Sequence, residues 1–300
     1  MNQARRYSPV VLLFLLSVCF LSCKTSPVPI KYNEINTKSD SLELFTPVWE
    51  HFKTGIDYLE GTVASPAMEF WGLRVDLRNP AVHITVTPPG PRTGIVPSMK
   101  TTTFAKQFST DAAINANPFN TSTAREGTPL TIVGITVSGG ILVSKPAPEY
   151  AALVFYKDGT AGIVMQDTLG ETDQIEYAAG GFYIILKDGL FIDEISDFRK
   201  MVRHPRSAAG LSEDGRYLYL LVIDGRRPSS GGATEGETAQ ILVKMGAFRG
   251  MIFDGGGSTS LALRYPDGKI RAVNTPIHNG IPGQERAVAV NLGISVYNGE

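Results

Sequence analysis

Short apolar or alternating runs, separated by Asp-Gly dipeptides, recur along most of the chain. Asp-Gly between two such runs is a strong signal for a β-hairpin, because the turn residues need positive φ angles. The pattern predicts four hairpins, which pair residues 151–156 with 160–165, 182–186 with 190–193, 208–211 with 217–223, and 261–265 with 270–273. Further strands are predicted over 68–77, 82–87, 112–115 and 286–297, and another hairpin around Gly139-Gly140.

Two segments have the pattern of a helix. Ser98 would cap a helix that runs to about Phe108. Thr234 would cap a helix over 235–245, because Glu237 stands at the capping-box position and a glycine follows the last turn. The sequence therefore predicts an α+β fold: a strand-rich mixed sheet with several hairpins, a few helices and one strand–helix–strand crossover.

The crossover would place two carboxylates at one edge of the sheet. One apolar strand ends at Asp224, the helix over 235–245 follows, and a second apolar strand ends at Asp254. Strands joined in this way run parallel, so both aspartates and Glu237 would lie at the edge where such sheets usually bind ligands. Each residue also has a plainer interpretation, since Asp-Gly after a strand is often only a turn and Glu237 could serve only as a helix cap.

Composition and charge limit the partners and cofactors. The chain is 43% hydrophobic and 19% charged, which excludes a largely disordered protein. A net charge of −1 gives no overall attraction to nucleic acid, so anions would have to be bound by local arginines. Asp254–Thr259 lacks the lysine of a P-loop, although its glycines let the backbone approach a ligand. No cofactor is predicted; a hard cation such as Ca²⁺ on aspartate and backbone oxygens remains open.

The N-terminal residues have the pattern of an export signal. Two arginines precede the apolar stretch Val10–Leu21, which is too short to span a bilayer. Because Phe20-Leu21-Ser22-Cys23 resembles a bacterial lipobox, we expect a signal peptide over 1–22, a lipid on Cys23, a tether over 23–44 and a domain over 45–300. The protein would then be anchored by lipid outside the cytoplasm, in the bacterial envelope. An ordinary secretory signal is the alternative, and in either case one cysteine at most remains, so no intrachain disulfide can form.

Several motifs, taken in order along the chain, are similar to those of the phosphodiester glycosidase family. They are Ile114–Phe119, Gly180-Gly181 with Lys187-Asp188-Gly189, Pro205–Ala208, Val222–Arg226, Thr234 with Glu237–Ala239, Asp254–Thr259 and Arg286–Val288. The likeness covers roughly residues 60–297, and Asp254–Thr259 is its most specific part. The chain departs from the family pattern at Ala116 and Asn117, where the family often has glycine, and at Ser207, where it has threonine.

The resemblance implies hydrolysis of the C1–O bond of a sugar-1-phosphodiester, which releases the sugar and a phosphomonoester. Asp254 would act as the nucleophile or as the base that activates water, Glu237 would be the second carboxylate, and Asp224 would orient the sugar or hold Arg226. Phosphate would be bound by Arg206, Arg226 and Arg286. The other substrate contacts would come from Asn115, Asn117, Gly180, Gly181, Gly255, Gly256, Gly257, Ser258 and Thr259.

Two other functions remain compatible with the sequence. The first is a lipoprotein that binds glycans at the same edge without turnover. The second is a phosphatase or phosphodiesterase that cleaves the P–O bond. Chemistry of that second kind usually needs metal ions, and no dense cluster of histidine or aspartate ligands stands in the sequence.

Overall fold

The computed structural model describes residues 32–33, 40–120, 125–192 and 202–297. The predicted signal peptide, Cys23 and much of the predicted tether lie outside these residues. In the described residues the largest sheet has nine strands, in the spatial order β1 (Tyr32–Asn33), β16 (Leu190–Ile192), β15 (Ile184–Lys187), β19 (Arg249–Ile252), β17 (Arg206–Leu211), β18 (Tyr217–Ile223), β4 (Ala67–Asp76), β3 (Ile56–Ala64) and β2 (Glu50–Lys53).

Two five-stranded sheets and two smaller ones complete the described part of the fold. One five-stranded sheet contains β11 (Ile141–Ser144), β10 (Thr136–Ser138), β14 (Ile175–Gly181), β12 (Ala151–Tyr156) and β13 (Ala161–Met165). The other contains β21 (Ile270–Ala272), β20 (Leu261–Arg264), β7 (Ala112–Asn115), β24 (Asn291–Val296) and β5 (Val82–Val86). The smaller sheets join β6 (Ile95–Pro97), β9 (Pro129–Ile132) and β8 (Phe119–Asn120), and β22 (Ile277–His278) with β23 (Ile281–Pro282).

Few helices are present in the residues that the structure describes, as the sequence predicts. Those described are α1 (Asp40–Glu43), α2 (Thr101–Gln107) and α3 (Glu235–Met245), with short 3₁₀ turns at Gln166–Thr168, Thr172–Gln174 and Gly256–Ser258. α3 has the predicted capping box, in which the side chains and backbone N–H groups of Thr234 and Glu237 bond reciprocally. α2 begins later than expected, because the Ser98 hydroxyl donates to the carbonyl of Arg125 at 3.0 Å and caps no helix.

All five predicted hairpins are present, as β12/β13, β15/β16, β17/β18, β20/β21 and β10/β11. Among the four Asp-Gly turns, only Asp188-Gly189 has both residues at positive φ, 52° and 75°. In the other three only the glycine does, because their loops are longer and need one left-handed residue instead of two. The last predicted strand is shorter than expected: β24 begins at Asn291, and residues 286–290 before it lie outside any strand.

Part of the segment predicted as a tether belongs to the fold. β1 pairs with the edge strand β16, and Leu42 of α1 is fully buried. The ring of Phe45 then packs edge-on against Phe70, with centroids 5.0 Å apart. The described structure therefore starts before Phe45. The apolar side chains of this polar stretch follow no period, so the sequence pattern did not indicate this contact.

The nine-stranded sheet is buried on both faces. In β18, Leu218, Leu220 and Val222 pack in one apolar cluster, which also contains residues of the two five-stranded sheets. Tyr219, Leu221 and Ile223 point to the opposite face and pack with the apolar side of α3. This alternation follows from the two-residue period of a strand. It explains why the segment 217–223 is apolar at almost every position.

Candidate active site

The crossover through α3 brings Asp224 and Asp254 to the same edge of the large sheet. β17 lies between β18 and β19 and pairs antiparallel with both, so β18 and β19 run parallel, as predicted, although they are not neighbours. Ile223 pairs with Arg206 and Ile252 pairs with Ala208, both near the start of β17. The two aspartates therefore follow strand ends that lie on either side of the same short segment.

Asp254 has the environment of a reactive carboxylate. The hydroxyl of Ser258 donates to its Oδ2 at 2.5 Å. Burial raises the pKa of Asp254 to about 6, against the lowering effects of the Ser258 hydrogen bond, the Arg286 charge and the Gly255 backbone. A carboxyl group with a pKa near the working pH can hold and release a proton during a reaction.

Asn115 fixes the backbone of Asp254. Its side-chain N–H donates to the Asp254 carbonyl at 2.6 Å, while its oxygen accepts from the Ser207 hydroxyl at 2.7 Å and from the Ser260 N–H at 3.1 Å. The Asn115 side chain is completely buried. The sequence suggested a contact between Asn115 and the sugar, whereas the structure uses its amide to join β7, β17 and the loop after β19.

Asn117 and the two middle glycines also act within the protein. The Asn117 amide donates to the carbonyls of Val133 and Ile135 at 3.1 and 3.0 Å and accepts from the Gly180 N–H at 2.8 Å. A side chain on Gly180 would collide with that amide, at 2.5 Å, and one on Gly181 would collide with the carbonyl of Ile252. The structure therefore explains these residues by close packing of β14 rather than by a substrate contact.

Two arginines lie against the glycines that follow Asp254. Gly256 is in the left-handed region, with φ of 61°, and a Cβ there would be 3.0 Å from Arg226 Nη2. A Cβ on Gly257 would overlap the guanidinium of Arg286. Within the described ranges, neither arginine forms an ion pair, and Arg226 makes no hydrogen bond through its side chain. Both cations lie beside the loop that follows Asp254.

The other arginines at this edge are paired within the protein. Arg206 is 9% exposed; its Nε donates to the Ala233 carbonyl at 2.9 Å, its Nη2 donates to the Val202 carbonyl at 3.2 Å, and its Nη1 lies 3.6 Å from Glu235 Oε1. These contacts hold the start of β17 against the first turn of α3. The phosphate-binding role that the resemblance implied for Arg206 stays a prediction.

Asp224 is enclosed by donors. Its carboxylate accepts from the side chain of Asn274 at 3.0 Å, from the N–H of Thr275 at 3.0 Å and from Arg227 Nη2 at 2.6 Å, and it is 1% exposed. Burial raises the pKa of Asp224, while these three donors lower it. The expected partner was Arg226. Arg227 takes its place because backbone hydrogen bonds between Arg227 and Ser230 close a turn beside the carboxylate.

Comparison with known proteins places this arrangement in a family. Residues 108–295 match the family described as phosphodiester glycosidase. The chain belongs to the phosphodiester glycosidase family. No curated protein matches the sequence significantly.

Solved structures share the fold of this family member. A hypothetical protein from Synechocystis is 16% identical with a TM-score of 0.63; the match covers 85% of this chain and 64% of that one. The zebrafish N-acetylglucosamine-1-phosphodiester alpha-N-acetylglucosaminidase catalytic domain, auto-inhibited by its pro-peptide, is 20% identical with a TM-score of 0.59, over 90% and 88%. An exported protein from Burkholderia pseudomallei is 15% identical with a TM-score of 0.52, over 76% and 74%.

Glu237 is fully engaged at the start of α3. Its Oε2 accepts from the N–H of Thr234 at 2.8 Å, and its Oε1 accepts from Arg203 Nη2 at 2.6 Å. The side chain is 3% exposed. Of the two roles that the sequence left open for Glu237, these contacts account for the capping role.

A cavity of about 300 Å³ opens between the start of α3 and the sheet edge. It is lined by Phe182, Tyr183, Val202, His204, Arg206, Glu235 and Ile252. Burial and the charges of Arg206 and Arg226 lower the pKa of His204, so this side chain is neutral at neutral pH. The cavity has the size and the mixed aromatic and polar lining of a small-ligand pocket.

His278 is a site residue that sequence reasoning missed. It is 2% exposed, and its Nδ1 accepts from Arg286 Nε at 3.0 Å. Nothing in the pattern around position 278 indicated this contact, because it depends on how β22 packs beside the 3₁₀ turn Gly256–Ser258.

In the described part of the chain, no three histidine, cysteine, aspartate or glutamate side chains cluster as a metal site. No helix of those residues is long and apolar enough to cross a membrane.

Proposed function

We propose that this protein hydrolyses the C1–O bond of a sugar-1-phosphodiester and releases the sugar and a phosphomonoester. Family membership supports a glycosidase-type hydrolase. One observation carries the finer proposal: a carboxylate whose pKa is about 6 lies beside a glycine loop that two arginines without ion pairs flank in the described structure. A negatively charged leaving group on a sugar matches this combination of charges.

Asp254 would act on the anomeric carbon, directly or through water. As a base it takes a proton from water while the water oxygen bonds to C1. As a nucleophile it bonds to C1 and is then displaced by water, which gives up one proton to the solvent as it becomes the C1 hydroxyl. In both routes the bond between C1 and the bridging oxygen breaks. That oxygen keeps the electron pair and leaves with the phosphate. Ser258, which donates to Oδ2, would hold the carboxylate in orientation during the reaction.

The leaving phosphate would be stabilised by charge rather than by an acid. Arg226 and Arg286 would bind its oxygens as negative charge develops there. A phosphomonoester leaves far more readily than an alcohol, so a proton donor matters less. This agrees with Glu237, whose two carboxylate oxygens are both held within the protein.

We also propose that the protein works in the bacterial envelope, anchored by a lipid on Cys23, on glycans of the envelope or the cell surface. The support is the lipobox-like sequence Phe20–Cys23. Mass spectrometry of the mature N-terminus tests it: a diacylglycerol-modified cysteine is expected. An N-terminus that lacks this modification would reduce the claim to simple secretion.

The reaction is tested by isotope incorporation with the unlipidated chain, residues 24–300. Substrates are methyl phosphodiesters of several sugars, and α-N-acetylglucosamine is the first because the zebrafish enzyme's name specifies it. In ¹⁸O-water the label is expected in the C1 hydroxyl of the sugar, with unlabelled phosphate. Label in the phosphate would instead show P–O cleavage. Binding of these compounds without turnover would favour the glycan-binding alternative.

A further inference from the structure

His278 lies behind the guanidinium group of Arg286 and has no part in the reaction outlined above. The ring is 2% exposed, and its Nδ1 accepts a hydrogen bond from Arg286 Nε at 3.0 Å. Because Nδ1 accepts, it carries no proton in this arrangement. Burial and the neighbouring Arg286 charge lower the pKa of His278, so the ring is neutral at neutral pH.

A second neutral acceptor completes the support of Arg286. Its Nη1 donates to the Ser258 hydroxyl at 3.1 Å, and its Nη2 faces the backbone of Gly257. Bonds at Nε and Nη1 fix the plane of the guanidinium group, because the group is rigid. Nη2 makes no hydrogen bond in the described structure.

The neighbouring arginines are supported in a different way. Arg203 contacts the carboxylate of Glu237, and Arg227 contacts those of Glu69 and Asp224. A carboxylate acceptor orients an arginine and also offsets its charge. A neutral imidazole orients the arginine and adds no negative charge; Asp254 acts on Arg286 through its charge but forms no ion pair with it in the described structure.

We propose that His278 is the positioning residue of Arg286, and that its neutral ring holds the guanidinium against Gly257 for a phosphate group without adding a negative charge beside it. This inference rests on the proposed function, because it assigns to Arg286 the phosphate of that substrate.

Three substitutions separate orientation from charge. His278→Asn retains a neutral acceptor close to the place of Nδ1. His278→Asp has nearly the same shape as the Asn variant but adds a negative charge. His278→Leu removes the acceptor without adding charge. Thermal unfolding of each variant is measured first. The dissociation constant of inorganic phosphate at pH 7.5 is then measured by calorimetry, together with KM and kcat for any phosphodiester that the wild-type protein cleaves.

We expect His278→Asn to bind phosphate within about 3-fold of the wild-type protein and His278→Asp to bind it at least ~10-fold more weakly, because a carboxylate next to Arg286 offsets its charge. His278→Leu should weaken binding by about 3- to 10-fold and raise KM, because the guanidinium loses a hydrogen bond that fixes its plane. If His278→Asp does not fold, the Asn and Leu pair still tests the positioning role.

Equal phosphate affinity in the Asn and Asp variants would overturn the proposal, as would wild-type affinity in the Leu variant. Failure of the proposed function has a different signature. If phosphate binding follows the expected order but no sugar phosphodiester is cleaved, the positioning role of His278 stands and the hydrolase reaction does not. If turnover occurs and phosphate affinity is insensitive to His278→Asp, the reaction stands and this inference fails.

Discussion

Asp224 and Asp254 have similar local sequences but different environments in the fold. Each follows an apolar strand, each precedes a glycine, and each lies near an arginine. The Asp224 carboxylate is surrounded by donors: Arg227 bridges it to Glu69, and Asn274 and Thr275 supply further hydrogen bonds. The Asp254 carboxylate accepts a side-chain hydrogen bond from one serine, and the arginines nearby form no ion pair in the described structure. The comparison shows that enclosure by donors, and not the motif, distinguishes the two carboxylates.

The largest effect should come from Asp254→Asn. We expect kcat for a sugar phosphodiester to fall by about 10³-fold, or about 4 kcal/mol in barrier height, because the amide cannot act as base or nucleophile. Steady-state kinetics above pH 7 measure this. Asp267→Asn, at an exposed Asp-Gly turn, is the control and should retain full activity. Near-wild-type turnover by Asp254→Asn would show that the reactive carboxylate lies elsewhere.

Asp224→Asn should act on stability instead. The new amide N–H₂ would face donors that now approach a carboxylate, and Arg227 would lose a partner. The free energy of unfolding should therefore fall by about 2–4 kcal/mol, as it does when one side of a buried ion pair is removed. Urea unfolding followed by fluorescence measures it. An unchanged midpoint would contradict the structural role assigned to this residue.

Asp254→Asn should also make the protein more stable at neutral pH. The Asp254 pKa is about 6 in the fold and about 3.9 in an unfolded chain. The folded state therefore binds the proton more tightly, and the stability that this provides is present below about pH 4 and lost as the pH rises through 6. Relative to the wild-type protein, the variant should gain about 1–3 kcal/mol at pH 8 and close to nothing at pH 4.

Unfolding curves at the two pH values test this linkage. Asp267→Asn again serves as the control, because an exposed carboxyl should show no such gain. A gain of equal size at pH 4 and pH 8 would exclude titration of Asp254 as its cause.

Ser258→Ala should produce the smallest of these effects, a shift in the pH profile. The wild-type kcat/KM is expected to rise with pH around 6 as Asp254 loses its proton. The Ser258 hydrogen bond lowers the pKa of Asp254, so its removal should move this rise upward by about 0.5–1 pH unit. Thr259→Val removes the neighbouring hydroxyl, which does not contact Asp254, and should leave the rise in place. A profile that Ser258→Ala does not move would separate the hydroxyl from the titration of the carboxylate.

Features that depend on near neighbours could be predicted from the amino-acid sequence alone. Hairpins at Asp-Gly turns, the capping box of α3, and the crossover that brings Asp224 and Asp254 to one edge all follow from backbone preferences and patterns a few residues long. These account for most of the fold class, whereas the choice of Asp254, Arg226 and Arg286 as site residues came from the resemblance to the phosphodiester glycosidase family.

Which of these side chains has partners within the protein depends on tertiary packing, which the sequence pattern did not show. Arg227 meets Glu69 across 158 positions of the chain, and Asn274 meets Asp224 across 50, whereas His278 reaches Arg286 because β22 packs beside the glycine loop. The amides of Asn115 and Asn117 are likewise engaged by strands distant in sequence. No local pattern encodes such contacts, because hydrogen-bond partners of a buried polar group are set by the packing of whole sheets, and each such group must find one.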